Sequence, residues 1–380
     1  MAGYRSWSPG VVIFVLWLAG CTASHQMTST PASGRSCPTA SADAVDAPVS
    51  WYFPAPEGDN RHLQAWCVTV GPPVFSLEPR ADFGPLRPGD SLGVAVWNSN
   101  VGAGDMLAFL GEELGLRCSA AASELNSGTP HFALLIQEAF RRSADIPPGP
   151  PGGVMPPAVA EEPRPGPRTD TIEIAEQCGL AFVYLAAARN GSEERVGMRE
   201  DKGVAILSTL PLSDVIGIEL PFEAARRVTV AATVHDASGD SLRLVNVHFI
   251  STAGPARVLT TGNDSRPRQA AAVVDALQRA EVQRAGGLPE EGYPTSTVLA
   301  GDLNTWSDGE TALLQLRESF PGSPPPLGVG TRGQFPTDHL LFRRAVAPGS
   351  PRLIEGSYRR IEDRYNSDHH GVVARVLFEG

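Results

Sequence analysis

At 380 residues the chain can bury the core of one large α/β domain or of two small ones. Its net charge of −11 argues against tight nonspecific binding to nucleic acid, which relies on Lys and Arg neutralising phosphates, but leaves open an enzyme that meets a phosphodiester at one basic spot. An apolar content of 42% is ordinary for a globular protein, and 39 glycines and 34 prolines, which cluster, predict irregular inserts rather than a disordered chain.

In chain order, Arg5 precedes nine apolar residues, Val11 to Ala19, and then Gly20-Cys21. Nine are too few to span a bilayer, and the pattern predicts a secretory signal over residues 1–21. Leu18-Ala19-Gly20-Cys21 resembles the lipobox of bacterial lipoproteins. That implies lipid attachment at Cys21 and an exported protein tethered to the cell envelope, at the outer membrane, in the periplasm or at the cell surface. Residues 22–50, rich in Ser, Thr, Ala and Pro, read as a flexible tether. Residues 51–89 carry Trp51, Tyr52, Phe53, Trp66 and Phe75 among prolines and are expected to pack on a main domain at 90–380. Cys37, Cys67, Cys118 and Cys178 form an even set in a disulfide-permissive compartment, with three pairings open. Their spacings of 30, 51 and 60 residues are unlike the close pairs of a zinc site.

The first strand signal is at 91–98, where Leu92, Val94 and Val96 alternate and the parity continues to Asn98 and Asn100. A helix follows at 105–116, with Asp105 as N-cap. Residues 131–140 read as a strand with Leu134, Ile136 and Glu138 on one face. Residues 146–167 are a Pro/Gly-rich surface insertion. A helix at 171–178 precedes strands at 181–185, 203–208, 227–231 and 242–249, the last with Leu242, Leu244, Asn246 and His248 on one face. The stripe Ala270, Val273, Val274, Leu277 predicts a helix over 266–280, with Pro267 in its first turn. A buried strand at 297–301 runs into Asp302-Leu303-Asn304, a helix covers 309–320, and strands at 338–342 and 371–377 close the chain. About nine strands with short antiparallel gaps and interspersed helices predict a two-sheet sandwich with helices outside.

Several of these runs end in, or begin from, a polar cluster: Asn98 and Asn100, Gln137-Glu138, Asn246 and His248, Asp302 and Asn304, Asp338, and Asp368-His369. Buried carboxylates must be paired, hydrogen-bonded or metal-bound. If these strand ends converge, one pocket collects carboxylates, amides and two histidines. Oxygen ligands of this kind suit Mg²⁺ or Mn²⁺ better than Zn²⁺. His339 and His370 have the wrong parity to join their neighbours, and Arg141-Arg142 reads as a solvated rim.

Trp97-Asn98, Gln137-Glu138, Asn246-Val247-His248, Gly301-Asp302-Leu303-Asn304, Asp338-His339 and Ser367-Asp368-His369 occur in the order of the endonuclease/exonuclease/phosphatase superfamily, and residues 91–378 resemble it. The resemblance implies the DNase I-like four-layer α/β/β/α sandwich of two mixed sheets flanked by helices, and a divalent-metal phosphoesterase. It implies metal ligation at Glu138 and Asp368 with support from Asn98. Asn100 falls where some members place an aspartate ligand. Asp302 is implied to activate water, Asn304 and His248 to contact phosphate, and His369 to be the essential histidine held by Asp338. Residues 203–208 resemble a Gly-x-Ala-Ile-Leu-Ser strand, with Thr209 where many relatives have arginine.

The expected activity is Mg²⁺- or Mn²⁺-assisted hydrolysis of a phosphate ester by in-line water attack. Phosphodiester or nucleic-acid substrates are slightly preferred to lipid or sugar phosphates. A catalytically silent envelope-binding module is the competing class. The protein is expected to act as a monomer, meeting the membrane only through its lipid anchor.

Overall fold

The computed structural model describes residues 27–30, 49–54, 69–80, 83–118, 129–147, 166–189, 199–222, 225–251, 265–285 and 293–379. In chain order its elements are β1 (Met27–Thr30), β2 (Val49–Pro54), β3 (Val74–Ser76), β4 (Ser91–Asn98), α1 (Met106–Glu113), β5 (Phe132–Arg142), α2 (Thr171–Cys178), β6 (Ala181–Arg189), β7 (Glu200–Ser208) and β8 (Ser213–Glu219). There follow β9 (Val228–His235), β10 (Ser241–His248), α3 (Arg266–Ala285), β11 (Ser296–Asp302), α4 (Thr311–Ser319), β12 (Asp338–Arg343), β13 (Arg352–Leu353), β14 (Arg359–Arg360) and β15 (Val372–Leu377). One sheet has the order β1-β2-β8-β9-β10-β11-β12, the other β13-β15-β4-β5-β7-β6-β3, with β14 also paired to β15. Both are mixed: β10 and β11 are parallel, as are β4 and β5, while β9–β10, β11–β12 and β15–β4 are antiparallel.

Strand alternation produces the layers. Val94, Val96, Leu135, Ile206, Val230, Leu244, Val298, Leu340 and Val372 form a core between the sheets. The opposite parity of β4 and β5, with Trp97, Leu134 and Ile136, packs under α1 and α2, where Trp97 stacks on Phe109 with ring centroids 4.7 Å apart. Val245, Val247 and Leu299 pack under α3 and α4. The result is the predicted four-layer sandwich.

Three readings change. Leu134 and Ile136 face the helices, so simple alternation would put Glu138 there too; a bulge intervenes, as described below. Arg141 is no rim residue. It is buried, and its Nη2 lies 2.6 Å from Asp201, whose carboxylate also accepts from the Tyr184 hydroxyl and the Gly71 amide. Arg142 alone is the exposed member, paired to Glu200 at 2.6 Å. Finally, Met27–Thr30, inside the stretch read as a tether, is a strand paired with β2, which itself joins β8. The strand β8 escaped detection because Asp214, Gly217 and Glu219 interrupt its apolar run; Glu219 is buried against the Arg226 guanidinium.

Cys118 and Cys178 are disulfide-bonded, tying the segment after α1 to the end of α2. Cys21, Cys37, Cys67 and most of the 146–167 insertion lie outside the described residues. Among the described residues no helix is long and apolar enough to cross a membrane.

Two glycines permit the site. A Cβ on Gly301 would fall 1.9 Å from the Val247 carbonyl, and its φ is +151°. A Cβ on Gly203 would fall 1.9 Å from the Leu185 carbonyl. Gly203 pairs with Ala139 and Ala186 at the places where both neighbouring strands shift register. Gly203→Ala and Gly301→Ala are each expected to lower stability by about 2–4 kcal/mol, since backbone rather than a side-chain tip must move. Urea denaturation checks this; midpoints unchanged from wild type would contradict it.

Candidate active site

The parallel runs of β4 and of β10–β11 end at one edge of the sandwich, where β12 and β15 begin. Register fixes the neighbours: His248 lies opposite Asp302, and Asp302 opposite Asp338. In the second sheet Asn98 lies opposite Gln137. Asn98, His248, Asp302 and Asp338 continue the inward parity of Val96, Leu244, Ala300 and Leu340. The predicted convergence of strand ends is what the structure contains.

Asp302 is at the centre and is buried. Its Oδ2 accepts from Asn98 Nδ2 at 3.0 Å and its Oδ1 from the Asn304 amide at 2.8 Å. The second bond closes because Asn304 adopts a φ of 52°, an Asx-type turn. Asp302 Oδ2 lies 3.6 Å from His248 Nε2 and 3.8 Å from His369 Nε2. Burial, reinforced by the nearby Asp338 charge against the opposing His369, pushes the Asp302 carboxyl up to about 6.

His369 Nδ1 contacts Asp338 Oδ2 at 2.8 Å. Burial alone would hold the imidazole neutral, but the Asp338 carboxylate outweighs it and raises His369 to about 9. Burial works against the Asp338 charge too, yet His369 and the bonds from Thr331 and Thr337 keep it below the usual carboxylate range. Thr337 Oγ1 donates to Asp338 Oδ2 at 2.8 Å, and Thr331 Oγ1 accepts from the Thr337 and Asp338 amides. Ser367 docks the histidine loop: its hydroxyl donates to the Asn98 carbonyl at 2.6 Å and accepts from the His369 amide at 3.1 Å. His248 is held neutral, first by burial and then by the charges of Arg227 and Lys202.

Glu138 reaches this edge by a different route. Its φ is +50°, and the β5–β7 register slips between Gln137 and Ala139. The bulge sends Glu138 into a cleft that it lines with Lys202, Arg227 and His248. Among the described residues its carboxylate has no hydrogen-bond or ion-pair partner. Beneath it, Gln137 Nε2 donates to Asn246 Oδ1 at 2.6 Å, and Asn246 Nδ2 donates to the Ile136 and Ala205 carbonyls at 2.8 Å. This amide pair joins the two sheets.

Other expected residues take different places. Asn100 sits in a turn with φ 55°, donating its amide to Asn98 Oδ1 at 3.0 Å. Its side-chain Oδ1 is buried without a hydrogen-bond partner. Asn98 holds Asp302 through its side-chain N–H, while its Oδ1 accepts from the Asn100 amide. Asn304 donates its side-chain amide to the Phe249 carbonyl at 3.0 Å, which secures the end of β10. Asp368 is half-exposed and paired to Arg332 at 2.8 Å, with its other oxygen 3.9 Å from His369 Nε2. It stands at the mouth, not inside. His339 and His370 are outside the pocket, as parity required: His339 meets Thr305 and the Pro336 carbonyl, and His370 the Ile361 carbonyl. Thr209, in place of the expected arginine, accepts from the Phe132 amide at 3.0 Å and caps β5.

Sequence reasoning missed Lys202, Arg227, Arg332, Thr331, Thr337 and Ser367. Only Ser367, inside a motif already noticed, carried a local signal. The rest meet the site through pairing between distant strands or loops.

A group able to bind a cation also lies here. Asp302, Asp338 and His369 bring ligating atoms within 4.8 Å of one another. Asp338 Oδ1 is buried without a hydrogen-bond partner, and Glu138, which has no partner among the described residues, lies in the adjoining cleft beside His248. Such oxygen-rich, incompletely satisfied donors fit a hard divalent cation.

No protein-family model and no curated protein sequence matches the chain. Its structure is similar to an endonuclease/exonuclease/phosphatase from Beutenbergia cavernae DSM 12333, at 17% identity over 77% of this chain and 72% of that one, with a TM-score of 0.49. It is also similar to an endonuclease/exonuclease/phosphatase family protein from Leptotrichia buccalis C-1013-b, at 11% identity over 76% and 100% of the two chains and a TM-score of 0.42. Sphingomyelinase C from Streptomyces griseocarneus is 15% identical over 75% of this chain and 99% of its own, with a TM-score of 0.40. The two mixed sheets with helices on their outer faces are the architecture expected from the sequence.

Proposed function

We propose that the protein is a divalent-cation-dependent phosphoesterase, acting first on phosphodiesters, that hydrolyses its substrate by in-line attack of water. The observation that carries this reading is the Asp338–His369 pair, 2.8 Å apart, with His369 Nε2 3.8 Å from a second buried carboxylate, Asp302. Two carboxyl groups in one pocket are driven apart, Asp338 towards the anion and Asp302 to about 6. That separation divides proton-accepting from charge-holding roles.

Asp302 is the base. A carboxylate near 6 accepts a proton from water at neutral pH far more readily than one near 4. Asn98 and the Asn304 amide fix its plane. His369, raised to about 9, presents a positive Nε2 towards the same space, where it stabilises charge building on phosphoryl oxygens. Neutral His248 donates a hydrogen bond there.

Nδ1 of His369 is already committed to Asp338, so this trio handles protons and Glu138 is the residue that would hold the cation. Mg²⁺ or Mn²⁺ bound there would polarise a phosphoryl oxygen. Glu138→Gln is expected to weaken Mn²⁺ binding at least roughly tenfold by isothermal titration while the circular dichroism spectrum is retained. Equal affinities in wild type and variant would remove Glu138 from this role. A panel of plasmid DNA, RNA, sphingomyelin, phosphoinositides and a nitrophenyl diester, each with and without Mg²⁺ or Mn²⁺, tests the function. Cation-dependent turnover is expected, and turnover of none would sink the reading.

The reading includes export and tethering through Cys21, with the protein active as a monomer. Lipid labelling that is lost in Cys21→Ala supports the anchor; labelling that persists opposes it.

A further inference from the structure

The cleft beside His248 contains two basic groups that the hydrolytic chemistry leaves unused. Lys202, on β7, and Arg227, just before β9, come from opposite sheets and line it together with Glu138 and His248. Both are buried, at 3% and 6% exposure. Arg227 is the informative one. Its neighbour Arg226 is fully engaged, by the Glu219 carboxylate and the Ala186 and Ala187 carbonyls. Arg141 is likewise paired, with Asp201. By contrast, Arg227 Nε is buried with no hydrogen-bond partner, and among the described residues its guanidinium forms no ion pair with Glu138 or any other carboxylate. A buried N–H without an acceptor costs about 1–3 kcal/mol, and more on a charged group. An acceptor that arrives with the substrate removes that penalty.

The shape limits what arrives. The enclosed part of the cleft is only ≈ 10 Å³, room for about one water, so a larger ligand is met at its open mouth. It shares Glu138 and His248 with the hydrolytic group but is lined by none of Asp302, Asp338 or His369, so Lys202 and Arg227 stand to one side of the reacting phosphate. Anionic oxygens presented at the mouth meet the guanidinium fork and the ammonium from two sheets at once.

We propose that Lys202 and Arg227 form a subsite for a second phosphoryl group on the substrate, adjacent to the one hydrolysed. The substrate is then a phosphate ester carrying another phosphate close by. The identity of that substrate rests on the phosphoesterase reading, whereas the anion site itself can be tested without turnover.

Two measurements test it. In the first, inorganic phosphate is titrated into cation-free protein by calorimetry. Wild type is expected to bind, and Arg227→Gln and Lys202→Met to bind at least tenfold more weakly. Arg227→Lys, which keeps the charge but loses the fork, should lie between and guards against a misfolded glutamine variant. In the second, the p-nitrophenyl ester of thymidine 5′-phosphate is compared with the same ester bearing a 3′-phosphate, in the presence of Mn²⁺. Wild type should favour the 3′-phosphorylated ester at least tenfold in kcat/KM, and the preference should fall towards one in both variants. Phosphate binding without turnover of either ester would uphold the subsite and overturn the hydrolytic reading instead. Turnover without preference, or preference unchanged in the variants, would overturn the subsite. So would variants that alter Mn²⁺ affinity but not phosphate affinity, because Lys202 and Arg227 would then be internal countercharges for Glu138.

Discussion

Asp302→Asn is expected to reduce hydrolysis by roughly 10²–10⁴-fold while improving the pH dependence of stability. The sign follows from the direction of the shift. The Asp302 carboxyl titrates at about 6 in the folded chain, against 3.8 when unperturbed. The folded state therefore binds this proton more tightly. Its contribution to stability is full below about pH 3.8 and is lost as pH rises through about 6. Asparagine does not titrate, so the variant escapes that loss. It does disturb the bond from Asn98, because an amide cannot accept at both oxygen positions. That cost is independent of pH and cancels in a difference. Between about pH 4 and 6.5, His369 stays charged in the folded chain, and the variant should gain about 1–3 kcal/mol relative to wild type. Chemical denaturation of both proteins at the two pH values measures it. A constant difference across the window would mean that burial does not raise the Asp302 carboxyl.

The second large effect belongs to Asp338. Asp338→Asn preserves the shape beside His369 Nδ1 but removes the charge that holds the imidazole at about 9. Burial then acts unopposed and drives His369 towards the neutral form. Turnover is expected to fall roughly 10²–10⁴-fold, as for other histidines deprived of their orienting carboxylate. The residual activity should also lose its alkaline limb near 9, which moves down by about a unit or more. A pH–rate profile on a diester substrate reads both. In stability His369 behaves as a raised base, its contribution present below about 6.5 and lost as pH rises through about 9, whereas Asp338, held low, loses its contribution as pH falls. An unshifted profile with undiminished rate would show that Asp338 merely caps β12.

How far the site was legible from sequence depends on which rule placed each residue. Asn98, His248, Asp302 and Asp338 follow straight alternation from apolar neighbours that face the core. Period two is enough to aim them inward, and the register between β10, β11 and β12 does the rest. Glu138 was named for the right edge by the wrong parity. Leu134 and Ile136 face the helices, and only the bulge, with its positive φ, turns the carboxylate into the cleft. A bulge leaves little trace in one strand's sequence. Its partner signal was Gly203, on the neighbouring strand, where a Cβ would collide with the Leu185 carbonyl. Ligation at Asp368 was implied by the resemblance alone; its ion pair with Arg332 links positions 36 residues apart through loops and left no local signal. Lys202 and Arg227 had no legible role, since a lone lysine before a glycine and a pair of arginines before a strand are ordinary surface patterns. Their meaning comes from facing each other across two sheets. The fold was clearer than the site because three separate apolar cores record it redundantly.

The most direct test of the central claim is a Mn²⁺ titration of bis(p-nitrophenyl) phosphate hydrolysis by the wild type, Glu138→Gln and His369→Gln. Saturable, cation-dependent turnover in the wild type is predicted, with a higher cation requirement in Glu138→Gln and near-complete loss in His369→Gln. Turnover that ignores the cation, or a His369→Gln variant as active as the wild type, would contradict it.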